Sequence, residues 1–155
     1  MIKLVLADDQ ASVRRGLRMR LELEPDLTII GEAADGAEAL RLTRRLRPDV
    51  VLMDLAMPGM DGIEATIALH PFTARSAVVI HSFRDDSATR AAAIAAGAFA
   101  LIAKHDSAEA LLAAIRQAAW HPEGLATPPL AGGGPASPGS RPEQPIPRGI
   151  RGEPQ

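Results

Sequence analysis

At 155 residues, 46% of them hydrophobic, the chain is long enough for one domain with a real core and too apolar for wholesale disorder. Aromatic residues make up only 3%, so that core must be built from Ala, Leu, Ile and Val. The absence of cysteine excludes disulfides, thiolate metal sites and a cysteine nucleophile, and a net charge of −2 argues against non-specific nucleic-acid binding by the whole chain.

In chain order, apolar strand-like runs alternate with helix-like runs. The opening "MIKLVLADD" is too short and too acidic for a signal peptide, and no apolar run reaches ~18 residues, so a soluble cytoplasmic protein with no membrane segment is expected. Strands are predicted over 2–7, 27–33, 49–54, 77–82 and 99–103. The first, third and fourth are nearly continuous in Val, Ile and Leu, as strands buried on both faces should be. A first helix is predicted over 11–23, with Val13, Leu17 and Leu21 on one stripe. A second over 35–46 opens on Asp-Gly and sets Ala37, Leu40 and Thr43 along one side. A third is predicted over about 61–69. The fourth, 85–97, has early acids and a closing Gly97. The last is capped by Ser107 and lines up Ala108, Leu111, Leu112, Ile115 and Ala119.

Five β-α units within ~120 residues imply an α/β fold: a parallel sheet with helices on both faces, and for five strands the flavodoxin-like, doubly wound order 2-1-3-4-5. Composition changes sharply after Trp120. Residues 121–155 hold nine of the thirteen prolines and include "AGGGPASPGSRP", which predicts a folded domain over 1–120 followed by a disordered Pro/Gly-rich tail.

Ligands of such sheets bind outside the carboxyl ends of the strands, where the winding reverses between strands 1 and 3. Strand 1 ends in Asp8-Asp9 and strand 3 in Asp54; strand 4 ends at Ser82 and strand 5 at Lys104. Three acids, one hydroxyl and one ammonium therefore share one edge. Like charges this close disfavour one another, and a divalent cation removes the conflict; an all-oxygen donor set without His or Cys suits Mg²⁺. A carboxylate in that setting can act as a nucleophile toward a phosphoryl group. Pro58-Gly59 turns the chain directly after Asp54 and could aim a backbone carbonyl at the metal. Taken singly, each residue has a plainer explanation: Asp9 as an N-cap of the first helix, Ser82 as a cap of the turn "SFRDD", Lys104 as a strand-end snorkeller. Their joint occurrence at four strand ends is what favours a site.

These residues resemble the receiver domain of two-component response regulators. The resemblance covers 1–120 and rests on "ADD", "MDLAMPGMDG", a hydroxyl after strand 4 and a lysine after strand 5; "GEAADGAEAL" and "KHDSAEALLAAI" are most similar to the NarL/FixJ-type subfamily. It implies that Asp54 accepts a phosphoryl group from a sensor histidine kinase and that the chain is a signalling module rather than an enzyme. It also implies that Asp9 ligates Mg²⁺ directly, Asp8 mainly through water, and that Asp54 and the Ala56 carbonyl complete the protein ligands. Ser82 would bond the phosphoryl oxygen and shift with it, and Lys104 would pair with Asp54 and then with the phosphoryl group. The surface around helix 4, strand 5 and helix 5 would change its preference for a downstream protein or a second copy.

Two other chemistries are disfavoured. A haloacid-dehalogenase-type phosphatase needs an acid two residues after its nucleophile, where this chain has Ala56, and a flavin binder needs a Ser/Thr/Gly-rich loop after strand 1, where it has "DDQAS". The Arg-rich runs at 14–20 and 41–47 are interleaved with Glu22, Glu24 and Glu38 and read as solvated faces, part of the first helix serving kinase docking. The four histidines read as bystanders, and Trp120 as either packing or an interface. The chain departs from the family in four places. Leu101 occupies the usual switch-aromatic position, with Phe99 expected on the same strand face as a partial substitute. His105 follows Lys104 where proline is common, and a trans peptide is expected because a non-proline cis bond costs about 3–4 kcal/mol. Phe83 replaces a small residue beside the pocket. Finally, residues after Trp120 lack the periodicity of a helix-turn-helix output domain, so DNA contact is not expected through the residues present. A stand-alone receiver and the receiver part of a truncated NarL/FixJ-type transcriptional regulator both fit.

Overall fold

Three of the five strands owe their position to burial on both faces. In the computed structural model, which describes residues 1–72 and 75–121, β3 (Val50–Met53) is buried at all four positions and β1 (Ile2–Ala7) at its last four. β4 (Ala77–Ser82) is buried at four of six. With β2 (Leu27–Ala33) and β5 (Ala100–Ala103) they form one parallel sheet in the order β2-β1-β3-β4-β5, the doubly wound arrangement expected.

Five helices alternate with the strands: α1 (Ala11–Leu21), α2 (Gly36–Leu46), α3 (Gly62–Leu69), α4 (Ser87–Ala96) and α5 (Ala108–Ala119), with a short 3₁₀ turn at His70–Phe72. They cover the sheet in two layers. Val5, Val51, Met53, Val78, Ile80 and Leu101 pack with Ala39, Ala65, Leu69 and Ala93 of α2, α3 and α4. On the other face Leu4, Leu6, Leu52 and Val79 pack with Leu21 of α1 and Leu111, Ala114, Ile115 and Ala118 of α5. Side chains alternate across each strand, so one apolar run feeds both cores.

The helix starts follow side-chain capping. Asp35, Asp61, Asp86 and Ser107 accept from the backbone N–H of Glu38, Glu64, Thr89 and Ala110, and Asp61 with Glu64 forms a full capping box. α4 therefore begins at Ser87, two residues later than its acids suggested. In α2, which begins at Gly36, Ala37 is exposed and Ala39 lies in the core with Thr43. α1 is different. Its N-cap position is Gln10 with no side-chain cap, so Asp9 does not serve as the cap of that helix. Gly97 ends α4 at φ 106°, a conformation that glycine adopts without penalty.

The expected pairing of Phe99 with Leu101 on one face is corrected. Phe99 precedes β5, and the alternation starts only at Ala100. Phe99 packs with the α1/α5 layer and lies 5.1 Å from the His121 ring, while Leu101 faces the α2–α4 layer. Trp120 is 80% exposed and is not core packing. Among the described residues no helix is long and apolar enough to cross a membrane. The tail expected over 121–155 lies, from residue 122 on, outside the described residues.

Candidate phosphoryl-acceptor site

The strand ladder continues one residue past its ends and fixes the backbone of the site. Asp8 N–H donates to Ala33 O (3.0 Å), Asp54 N–H to Ala7 O (2.8 Å) and Lys104 N–H to Ser82 O (2.8 Å). Each functional residue is thereby tied to a neighbouring strand. Beyond Asp54 the chain turns through Gly59 (φ 71°), and the Gly62 N–H donates to Leu55 O (3.0 Å). A Cβ on Gly62 would overlap the Asp54 carbonyl oxygen and sit 2.8 Å from Leu55 Cα, so only glycine lets α3 start this close to Asp54.

The five side chains expected to converge do so. Lys104 Nζ lies 2.9 Å from Asp8 Oδ2 and 3.4 Å from Asp54 Oδ2. One carboxylate oxygen each from Asp8, Asp9 and Asp54 lies within 4.8 Å of the other two. Asp8 also accepts from Gln10 N–H (2.9 Å), and its carbonyl from Arg14 Nη1 (2.5 Å), so it is buried and fully engaged. Asp9 is exposed and faces a cavity of about 670 Å³ whose lining includes Asp54, Ala56, Ser82, Phe83 and Lys104. Ser82 is buried, and its Oγ accepts from Arg84 N–H (3.0 Å), so the turn-capping reading of this serine holds alongside its position at the cavity.

Burial raises the Asp54 pKa. The Lys104 charge opposes that rise, Asp8 adds to it, and the Ala56 N–H opposes it more weakly. The donor set fits a hard divalent cation: three carboxylates from two strand ends, no nitrogen or sulfur donor, and an open cavity on the Asp9 side that leaves room for water and a phosphoryl group.

Four features carried no periodic signal in the sequence. The exposed Phe83 ring lies at the cavity mouth, 5.0 Å from Lys104 Nζ, a cation–π distance. His105 follows Lys104 through a trans peptide, and its Nε2 is 3.4 Å from Asp85 Oδ2. The pKa of His81, on β4, is lowered to about 4, chiefly by burial and then by the Lys104 charge. Arg116 of α5 pairs with Asp26 (2.8 Å) and Glu24 (2.7 Å) and ties α5 to the α1–β2 connection.

A parallel doubly wound sheet thus gathers three acids at its β1/β3 switch point and a lysine from the end of β5, and the comparisons with known proteins supply the family. The family model described as "Response regulator receiver domain" matches residues 4–116, and the chain belongs to that family. It is 39% identical over 117 residues to the nitrate/nitrite response regulator protein NarP of Escherichia coli (strain K12), covering 76% of this chain and 54% of that one. The receiver domain of the response regulator NarL from Mycobacterium tuberculosis superposes with a TM-score of 0.69 at 32% identity, over 74% of this chain and 96% of that one. A LuxR-family two-component response regulator from Aurantimonas sp. SI85-9A1 gives a TM-score of 0.73 at 35% identity, over 77% and 85%. The chain spans about half the length of NarP, and 18% of the transcriptional regulatory protein LiaR of Bacillus subtilis (strain 168), which it matches over 38 residues.

Proposed function

We propose that this receiver accepts a phosphoryl group on Asp54 from the phosphohistidine of a sensor histidine kinase. The observation that carries this reading is the single ammonium of Lys104, 2.9 and 3.4 Å from two buried carboxylates at the ends of adjacent strands, in the wall of an open cavity. An Asp54 carboxylate oxygen attacks phosphorus and forms a new P–O bond. The donor's P–N bond breaks, and the imidazole leaves with its electron pair. Lys104 then holds a phosphoryl oxygen, and the Ser82 hydroxyl donates to another. Asp8, Asp9, Asp54 and the Ala56 carbonyl would hold Mg²⁺, Asp8 mainly through water. When bound, that ion neutralises charge on the phosphoryl oxygens. The folded unit is taken as residues 1–120, in keeping with a family match ending at 116 and a last helix ending at Ala119. The similarity to NarP supports a role as the receiver part of a transcriptional regulator, with protein partners or a second copy reading the phosphorylated surface.

Incubation with Mg²⁺ and acetyl phosphate, read by intact mass, tests the acceptor. The expected result is one added phosphoryl group in the wild type and none in Asp54→Asn. An unmodified wild-type protein, or equal modification of the variant, would overturn the reading. The Phe83 ring stands beside Lys104 in the cavity wall, and a bulky ring there hinders the water that hydrolyses the acyl phosphate. Phe83→Ala is expected to shorten the half-life of the phosphorylated form several-fold in a phosphate-release assay; an unchanged decay rate would show that the ring does not shield the bond.

A further inference from the structure

The sheet edge opposite β2 carries a tie that the family resemblance does not supply. Arg90, in the first turn of α4, donates from Nε to Asp85 O (3.0 Å) and from Nη1 to Leu101 O (2.9 Å). One guanidinium thus holds the β4–α4 connection and strand β5 together. The Arg90 backbone is itself fixed, its N–H donating to Asp86 O (3.0 Å), and Asp86 caps the helix.

The connection that Arg90 grips leads back to the cavity. Its near end is pinned by Arg84 N–H on Ser82 Oγ, and the Asp85 carboxylate faces His105, the residue after Lys104. On its far side Arg90 walls an apolar groove of about 470 Å³ together with Ile94, Phe99, Leu101, Ala110 and Ala114. Strand β5 carries no aromatic ring to move between cavity and groove. The Leu101 side chain is buried in the α2–α4 layer, and Phe99 belongs to the other layer. The ladder joins Ser82 itself to β5 through Lys104 N–H, and Arg90 adds a second tie, from the connection beyond Ser82 to β5, through the carbonyls of Asp85 and Leu101.

We propose that Arg90 is the positioning residue that transmits occupancy of the Asp54 cavity to the α4–β5–α5 groove, by holding the carbonyls of Asp85 and Leu101 in one planar fork. The proposal rests on the receiver reading above. When the Ser82 hydroxyl donates to a phosphoryl oxygen its Oγ is re-aimed, which alters the bond it accepts from Arg84 N–H and with it the connection through Asp85. A guanidinium presents its donors in a fixed plane, so displacing one acceptor is felt at the other. A lysine at this position is a point donor and cannot hold both carbonyls in one geometry.

The test follows backbone amide chemical shifts on adding Mg²⁺ and beryllofluoride to the wild type, Arg90→Ala and Arg90→Lys. In the wild type, Ser82, Phe83 and Arg84 of the cavity should shift together with Leu101, Ile102 and Ala110 of the groove. Both variants should keep the full cavity shifts and lose more than half of the groove shifts. Groove shifts that persist in either variant overturn the relay, and Arg90→Lys, which keeps charge and helix propensity, covers the case of an unstable alanine variant. A wild type whose cavity amides shift while its groove amides do not overturns the relay and leaves the receiver reading standing. A wild type with no cavity shifts removes both.

Discussion

Lys104→Met is expected to destabilise the fold by about 3 kcal/mol at neutral pH, read from urea denaturation midpoints. Breaking one side of a buried ion pair typically costs ~3–5 kcal/mol because the other charge is left without compensation. Here two charges are left. The side chains of Lys104, Asp8 and Asp54 are 7%, 3% and 7% exposed, and Lys104 is the cation that pairs with both acids. Methionine keeps the volume of the aliphatic stem, so the loss reports charge rather than a cavity. The Asp54 pKa, raised first by burial, states the same imbalance from the acid side: the ionised form is disfavoured in the fold. Asp54→Asn alone should therefore raise the midpoint, and the double variant should recover at least ~1 kcal/mol of the Lys104→Met loss, a coupling of the size contacting residues show. Added Mg²⁺ should stabilise Lys104→Met more than it stabilises the wild type. A single variant within about 0.5 kcal/mol of wild type, the range of an ordinary surface change, would mean that the ammonium does not hold the acids together.

The charges at this edge were legible in the sequence because they depend on chain topology alone. A run such as "VVLMD" is greasy at every position only if both faces of its strand are covered, and that makes the sheet parallel and brings all strand ends to one edge. Asp8, Asp9, Asp54, Ser82 and Lys104 then share that edge whatever their rotamers. Two helix caps were nearly as legible, since Asp35 of the Asp-Gly opening and Ser107 act on residues three positions away. The contacts that escaped are those in which a long side chain chooses among several acceptors. Arg90 reaching Leu101 O and Arg116 reaching Asp26 leave no periodic mark, and neither does the approach of His105 to Asp85. The Phe99 error has a different origin. Period-2 alternation holds within a strand, and Phe99 stands one residue before β5, where the phase is not yet set. Ala37 failed alone: at about 100° per residue it stands roughly 200° from the buried Ala39, while Leu40 and Thr43 of the expected stripe do pack against the core.

The bystander reading of His81 leads to the second large effect, an acid limb in stability between pH 6.5 and about 4. The His81 pKa falls from 6.5 to about 4 in the fold because burial disfavours the imidazolium and Lys104 repels it, while Asp8 and Asp106 only partly offset this. Within that window the unfolded chain binds more protons than the native one, so stability climbs with pH. The contribution is fully present above pH 6.5 and is lost as pH falls through the window, by up to about 3 kcal/mol, since each pH unit between the two pKa values is worth ~1.4 kcal/mol. Asp54 acts in the opposite sense. Its raised pKa lets the native state hold a proton more tightly than the unfolded chain, so its contribution favours the fold in acid and fades as pH rises above the ordinary value of 3.8. Asp26 and Asp86 are held below 3.8, by Arg116 and by Thr89, so their losses come at lower pH and do not enter this window. His81→Gln should therefore remove the limb rather than merely shrink it: with Asp54 still titrating, the variant's urea midpoint should stay level or rise as the pH is lowered from 6.5 to 4. A variant that keeps the wild-type slope across that range would assign the acid limb to other groups and return His81 to the role of a bystander.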